Sequence, residues 1–207
     1  MGEALSGRSP GYQRTYSRSP YTGKRLRPFI WRDFETEAPF SRVLAELRAY
    51  HAHRRGVAHN PEPPLPLLYS HLRPEHLSQV NSLLQTTFWR DIDVTEALRW
   101  PDYSVVVRRG ALVVGCALMT PQGYITYVTV LPMWRHLGLS TVMLHQLVHA
   151  QPDRDITLHV SVSNEAIVLY NKLGFKPEEY ILDFYKDYLP HDTHLSPHAF
   201  LLRLRRS

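Results

Sequence analysis

A short basic turn between an apolar strand and an apolar helix is the segment of this chain best suited to hold a ligand. Residues 130–141 read VLPMWRHLGLST, so a strand ends where the run begins and a helix starts near its end. Amides at a helix N-terminus are free and carry partial positive charge, which suits a phosphate group. Gly138 and the small Ser140 would admit a pyrophosphate close to the backbone, and Arg135 would add charge at the rim. An ordinary strand-to-helix turn is the alternative interpretation.

A second chemical feature is the polar face of the strand predicted over residues 156–162, ITLHVSV. Leu158, Val160 and Val162 point to one side of this strand, whereas Thr157, His159 and Ser161 point to the other. A central parallel strand is normally apolar on both faces, so a polar face indicates that the strand borders a cleft. His159, with an ordinary pKa of about 6.5, could accept a proton there near neutrality. A hydrogen-bonded structural histidine is the alternative.

Hydrophobic periodicity and turn residues predict the elements that position these groups. Strands are predicted over 67–72, 103–107, 111–119, 123–131, 156–162, 181–188 and 199–205, and helices over 40–54, 74–88, 95–100, 139–150 and 164–173. Strand 123–131, helix 139–150 and strand 156–162 form a β-α-β unit, which implies a parallel pair. Hairpins flank this unit, so the sheet is expected to be mixed.

Two motifs at a characteristic spacing resemble the GNAT (Gcn5-related) N-acetyltransferase family. The run Arg135-x-x-Gly138-x-Ser140 is similar to the family's Arg/Gln-x-x-Gly-x-Gly/Ala turn, with Ser140 as a departure at the last position. Residues 164–175, NEAIVLYNKLGF, resemble the family segment N-x-x-A-x-x-L-Y-x-K-x-G-F. The resemblance covers residues 67–207. It implies an α/β (α+β) GNAT fold, with a mixed central sheet of six to seven strands, about four flanking helices and an N-terminal extension.

The resemblance also implies acetyl-CoA as co-substrate, and it implies roles for individual residues. Tyr170 would be the general acid, with its hydroxyl near the CoA sulfur, and backbone amides around Val128–Val130 would hold the thioester carbonyl. Asn164 would help to position the cofactor. The predicted cofactor-binding set is Val128, Thr129, Val130, Arg135, His136, Leu137, Gly138, Leu139, Ser140, Thr141, Asn164 and Tyr170.

The general base is not the acid that many members of the family use. Many lysine acetyltransferases of this class carry a Glu on the strand before the phosphate turn, but GYITYVTVL (123–131) contains no acid. The run LHVSVSN (158–164) resembles a strand of some N-terminal acetyltransferases, in which a His here and a Tyr on the preceding strand order a water that takes the proton. The matching residues are His159 and Tyr124. We therefore predict that Tyr124 and His159 act as a water-relayed base.

Charge and composition divide the chain into three parts. Residues 1–30 carry six basic residues and one acidic residue, whereas residues from 67 onward carry 13 of each, so the basic excess belongs to the tail. We predict a disordered basic tail over 1–30, an extension with one amphipathic helix and a Pro-rich linker over 31–66, and the catalytic domain over 67–207. The tail could make weak contact with nucleic acid or serve as a nuclear address; a solvated arm is the alternative.

Several other features exclude classes of function. No run of about 18 apolar residues occurs, so no membrane span and no membrane partner are expected. The single cysteine, Cys116, excludes an intrachain disulfide and favours a reducing compartment. His145 and His149 lie four residues apart on a helix, but no acid completes a zinc site, so no metal is predicted.

Five stretches resemble those of a narrower group, the acetyltransferase subunits of ATAC-type histone acetyltransferase complexes. They are RPFIWRDFET (27–36), PDYSVVV (101–107), LHVSVSN (158–164), GFKPEEYILDFYKDYLP (174–190) and HAFLLRLRR (198–206), and the last two lie outside the general motifs. The resemblance implies a nuclear protein, with the cytoplasm as a second location, that acetylates lysines of histone tails beside partner subunits of a chromatin complex. Alternatives are an N-terminal-amine acetyltransferase and a weakly active or inactive scaffold subunit that binds acetyl-CoA. A nucleic-acid-binding module is supported by the basic tail alone.

Overall fold

The computed structural model describes residues 16–58, 65–189 and 196–206. The strands in these ranges are β1 (Ser17–Arg18), β2 (Arg25–Leu26), β3 (Trp31–Asp33), β4 (Leu67–Ser70), β5 (Ser104–Arg109), β6 (Leu112–Met119), β7 (Ile125–Val130), β8 (Ile156–Ser161), β9 (Lys176–Ile181) and β10 (Ala199–Leu204). The α-helices are α1 (Pro39–Arg54), α2 (Leu77–Thr87), α3 (Leu139–Ala150) and α4 (Ala166–Lys172). Short 3-10 helices cover Pro74–His76, Thr95–Arg99, Pro101–Tyr103 and Pro132–Trp134. None of the helices in these ranges is long and apolar enough to cross a membrane.

Two antiparallel sheets meet at a single parallel bridge. The first has the order β3-β4-β5-β6-β7 and the second has the order β8-β10-β9. Tyr124 and Thr157 form the bridge between them, and the Thr157 N–H donates to the Gly123 carbonyl at 2.8 Å. Gly123 has φ 89°, and a Cβ there would lie 2.6 Å from the Asp155 carbonyl oxygen, so only glycine allows this approach. The predicted parallel pair is confirmed at this point, beyond which no ladder joins β7 to β8 among the described residues.

The core lies on both faces of the five-stranded sheet. Met143, Leu144 and Leu147 of α3 belong to the apolar cluster on one face, and Val80 and Leu84 of α2 belong to the cluster on the other. Strand β6 reads LVVGCALM and is buried at every position after the first. This is the pattern of a central strand covered on both faces. The sheet is therefore fixed between two helices, and its last strand carries the candidate site.

Residues 16–33 contribute ordered structure that the sequence did not indicate. Strands β1 and β2 pair as a small hairpin, and Asp102 accepts hydrogen bonds from the Ser19 and Thr22 hydroxyls. Strand β3 pairs with β4 and so extends the main sheet. The prediction of a disordered tail over 1–30 is corrected for residues 16–30, and the predicted boundary at residue 67 does not separate β3 from the sheet. Residues 1–15 lie outside the described residues.

Helix α1 begins as predicted but buries little of its apolar face. The Phe40 ring packs against the Trp134 ring at a centroid distance of 5.8 Å, and the Arg109 guanidinium donates to the Ser41 hydroxyl. These contacts hold the first turn only. The apolar residues along the rest of the helix are exposed: Val43, Leu44, Leu47 and Tyr50.

The strand predicted over 181–188 is wrong in position. In the structure β9 ends at Ile181, where it pairs with Ala199, the first residue of β10. Residues 182–189 have no partner strand and form turns instead. The alternation of apolar and polar residues in ILDFYKDY is therefore typical of a strand, but this segment lacks the hydrogen-bonded partner that a strand requires.

His76 makes the stability of the fold sensitive to pH. Burial, aided by the positive charge of Arg108, lowers the pKa of His76 to about 4. Its Nδ1 accepts a hydrogen bond from the Arg73 N–H at 3.2 Å. The unfolded chain binds a proton here below pH of about 6.5, whereas the folded chain does so only near pH 4, so stability falls as pH drops through this window by up to about 3 kcal/mol.

Urea unfolding of the wild type and His76→Asn between pH 4 and 7 tests this assignment. The asparagine oxygen, bonded like Nδ1 to the Cγ atom, can replace the Nδ1 acceptor but does not titrate, so we expect a shallower loss of unfolding free energy in the variant. Equal losses in the two proteins would assign the pH dependence to other groups.

Candidate active site

The structure brings Tyr124 and His159 together in the gap between β7 and β8. The Tyr124 hydroxyl lies 2.9 Å from His159 Nδ1, immediately beyond the parallel bridge. The predicted alternation of β8 is confirmed, since Leu158 and Val160 are buried while Thr157 and His159 are partly open. The polar face of β8 therefore borders the gap, and the gap contains both halves of the predicted base.

Burial shifts the pKa values of this pair in opposite directions. It lowers the pKa of His159, against a smaller opposing effect of the Glu179 carboxylate. It raises the pKa of Tyr124, with a further contribution from Tyr127. Desolvation disfavours the charged form of each group. At neutral pH the pair therefore consists of a neutral imidazole and a protonated phenol, joined by one hydrogen bond.

Strand β7 presents main-chain donors to the same gap. The Leu131 N–H donates to the Val114 carbonyl at 2.8 Å, which directs it towards β6. Because main-chain groups alternate along a strand, the amides of Val128 and Val130 point away from β6 and into the gap. Thr129 does not fit its predicted role, in which its amide would help to hold the thioester carbonyl. The same alternation directs that amide towards β6, and the Thr129 Oγ1 lies 3.2 Å from Thr87 Oγ1.

The predicted phosphate turn forms a concave run of main-chain amides before α3. His136 and Gly138 have positive φ values of 62° and 81°, and Leu137 between them keeps a negative φ. Such alternation turns successive N–H groups towards one side and forms an anion-binding nest. Arg135 and His136 are exposed at its rim.

The first turn of α3 adds further donors to this nest. Val142 donates the first intrahelical hydrogen bond, to the Gly138 carbonyl at 3.2 Å. The amides of the four preceding residues have no acceptor within the helix. These residues are Gly138, Leu139, Ser140 and Thr141. A Cβ placed on Gly138 would meet no protein atom within 4 Å, so open space lies directly against the backbone. The nest fits a pyrophosphate in donor type, charge and room.

Tyr170 and Asn164 lie on either side of the start of α4. Tyr170 is buried, and burial raises its pKa to about 12. Tyr185 interacts electrostatically with both Tyr124 and Tyr170, which places these three phenols in one neighbourhood. Asn164 is exposed, and its Oδ1 accepts the N–H of Ala166, the first residue of α4, at 2.9 Å.

Aromatic residues missed by the sequence analysis complete the walls. The Phe184 ring stacks on the His159 ring at a centroid distance of 4.1 Å and an interplanar angle of 15°. Trp89, after α2, contacts Tyr188 at 4.5 Å. Residues 181–188, ILDFYKDY, contain three aromatic residues that could have indicated an aromatic wall. The alternation of apolar and polar residues there predicted a strand instead.

Other candidates remain outside this arrangement. His149 Nδ1 bonds the His145 carbonyl within α3, and the described residues contain no group of three or more side chains placed to hold a metal. Burial raises the pKa of Cys116 to about 12, which removes it as a nucleophile. Of the nearby acids, Asp93 bonds Asn81 and Thr95, and Asp102 holds the N-terminal hairpin.

The fold and the site define a class of protein. The nest of amides lies in the turn that the first sequence motif predicted, and residues 101–177 match the family described as acetyltransferase (GNAT) domain. The chain therefore carries a region that matches a GNAT acetyltransferase domain.

Particular relatives sharpen this assignment. The chain is 44% identical to human cysteine-rich protein 2-binding protein over 193 residues. The aligned region covers 91% of this chain and 25% of the relative. The mouse protein matches with the same identity and coverage. The chain thus spans about a quarter of the length of these relatives, and the narrower resemblance predicted from its flanking segments is confirmed. An N-alpha-acetyltransferase of Sulfurisphaera tokodaii is 34% identical over 74 residues, 33% of this chain and 44% of the relative.

A solved structure supports the fold. Arabidopsis thaliana Naa50, in complex with the bisubstrate analogue CoA-Ac-MVNAL, superposes with a TM-score of 0.56 over 67% of this chain and 98% of that chain. Its sequence identity is 19%, so the likeness concerns the fold.

Substitution of Gly138 tests the nest. We expect Gly138→Ala to lose about 1 kcal/mol of stability because its φ is left-handed. The new methyl group would also occupy the space against the amides, so the Kd for acetyl-CoA should rise about tenfold in calorimetry. Gly23→Ala is a matched control, since Gly23 has φ 69° and open surroundings far from the site. An equal loss of affinity in both variants would contradict a phosphate role for the nest.

Proposed function

We propose that this chain transfers the acetyl group of acetyl-CoA directly to a protein amine, with a lysine side chain of a histone tail as the favoured acceptor. The observation that carries the proposal is the Tyr124–His159 contact of 2.9 Å in the gap where β7 and β8 part. The gap is lined on one side by free main-chain donors and on the other by this pair. A donor-lined cleft with a neutral base is what acyl transfer to an amine requires.

The amine must first lose a proton. A lysine ammonium has a pKa of about 10.4, so it is charged at neutral pH and cannot attack. The neutral His159 imidazole accepts this proton through an ordered water, and the Tyr124 hydroxyl holds the ring and the water in place. The lowered pKa of His159 keeps it in the accepting form at pH 7.

Acetyl-CoA, when bound, supplies an activated acetyl group on a thioester. The amine nitrogen forms a bond to the acetyl carbon, the carbon–sulfur bond breaks, and the nitrogen releases its second proton to solvent as the amide forms. The Val128 and Val130 amides hold the carbonyl oxygen, and the amides of the nest bind the pyrophosphate.

Tyr170 donates the proton that the departing thiolate needs. Its pKa of about 12 keeps the phenol protonated at neutral pH. Burial also disfavours the charged thiolate, so the departing sulfur takes the Tyr170 proton, which solvent then replaces.

The resemblance to histone acetyltransferase subunits and the 44% identity to the human relative support a lysine acceptor, partner subunits of a chromatin complex and a nuclear location. The resemblance of residues 158–164 to a strand of N-terminal acetyltransferases and the archaeal N-alpha-acetyltransferase relative favour a second candidate, an N-terminal amine, and the Tyr124–His159 contact can serve either acceptor.

Two matched peptides separate these acceptors. One is a basic histone-type peptide with lysines and a blocked N-terminus; the other has arginine at each lysine and a free N-terminus. We expect transfer to the first, and a decrease of kcat by at least about 100-fold in Tyr170→Phe and in His159→Ala, with acetyl-CoA affinity retained. His145→Ala, on an exposed face of α3, is the control. Transfer to the second peptide alone would assign an N-terminal acceptor, and binding without transfer to either would favour the scaffold alternative.

The pH dependence of kcat provides a separate test. A protonated imidazole cannot accept the amine proton, so activity should fall as pH drops through the His159 pKa, which lies below 6.5. We expect a flat profile from pH 7 to 8 and an acidic limb that His159→Ala lacks. An acidic limb that persists unchanged in the variant would show that another group takes the proton.

A further inference from the structure

The orientation of the His159 ring depends on a residue outside its own strand. Its Nδ1 lies 2.9 Å from the Tyr124 hydroxyl, while Phe184 covers one face of the imidazole at 4.1 Å and 15°. One hydrogen bond leaves a ring free to tilt about that contact. A near-parallel aromatic stack restricts this tilt and removes water from one face of the ring.

Phe184 is itself placed by a turn with two tethers. The turn follows β9, and Asp183 within it has a left-handed φ of 55°, which is unfavourable for a residue with a side chain. The Asp183 N–H donates to His198 Nδ1 at 3.0 Å, and the Tyr185 N–H donates to the Pro197 carbonyl at 2.8 Å. Both neighbours of Phe184 are therefore bound to the two residues that precede β10.

These tethers connect the turn to the strand that carries His159. Strand β10 pairs with β8, and Leu201 lies opposite His159 in this ladder. The Val162 N–H also donates to the His198 carbonyl at 3.2 Å. The segment that holds Phe184 and the strand that holds His159 thus form one hydrogen-bonded unit, so the stack is built into the sheet.

We propose that Phe184 is a positioning residue that aligns the His159 imidazole with Tyr124, and that His198 latches the turn that presents it. This inference rests on the proposed function of His159 as a base. Phe184 does not exchange protons. It holds the His159 imidazole so that the proton-accepting nitrogen points into the gap between β7 and β8. It also excludes water from one face of that ring.

The surroundings of His159 define what the stack contributes. Tyr124 donates or accepts at Nδ1, and Glu179 on β9 raises the pKa of His159 against the larger lowering by burial. Removing the Phe184 ring would admit water and leave Glu179 as the main remaining influence. The pKa of His159 would then move upward, towards or above its ordinary value of about 6.5.

NMR titration of the His159 ring tests the proposal without relying on activity. We expect Phe184→Leu to raise the His159 pKa and to lower kcat about five- to tenfold, with the acetyl-CoA Kd unchanged. Phe184→Trp retains a stacking ring and should restore both values. Tyr50→Leu is the matched control, because Tyr50 is an exposed aromatic residue of α1 that contacts the His51 ring.

The outcomes separate three conclusions. A His159 pKa and kcat that stay unchanged in Phe184→Leu would overturn the positioning role. Equal losses in Phe184→Leu and Phe184→Trp, together with weaker acetyl-CoA binding, would assign Phe184 a general structural role and overturn it as well. If wild type acetylates no peptide, the proposed function fails, while the ring titration still decides whether Phe184 sets the state of His159.

Discussion

The close approach of β7 and β8 at Gly123 is the constraint on which the site depends. The Thr157 N–H reaches the Gly123 carbonyl at 2.8 Å, and the Asp155 carbonyl would lie 2.6 Å from any Cβ at position 123. From the other side, the Asp155 carboxylate accepts the Arg206 N–H at 2.8 Å. Since the two sheets pair at this one point among the described residues, their strands separate beyond it. The unpaired amides of β7 and the polar face of β8 then face a common gap.

Burial determines the protonation states in this gap more than any neighbouring charge does. It lowers the pKa of His159 and raises that of Tyr170 to about 12, because in each case it disfavours the charged form. One physical cause therefore produces a neutral acceptor and a protonated donor at the same pH. Strand β7 carries no acid, so this arrangement takes the place of a carboxylate base.

Residues that lie far apart in the chain form the aromatic walls of the site. Trp89 follows α2 and contacts Tyr188, which lies almost 100 positions later, at 4.5 Å. Phe184 stacks on His159 from a turn held by His198. The N-terminal hairpin is similarly fixed through Asp102. The Trp89–Tyr188 and Phe184–His159 contacts make connecting segments into walls of the site, although neither contact belongs to the two motifs of the family.

Local pattern and motif determined much of this protein from its sequence. The order of the elements from β4 to α4, the turn at Gly138 and the pairing of Tyr124 with His159 followed from periodicity, helix-start chemistry and family resemblance. The tertiary structure alone decided that Phe184 leaves the predicted strand, that residues 16–30 are ordered, and that the Thr129 amide turns towards β6. Periodicity reports which face of an element is apolar, but it carries no record of a partner that lies 20 to 80 residues away. Whether a segment pairs, stacks or turns depends on that partner.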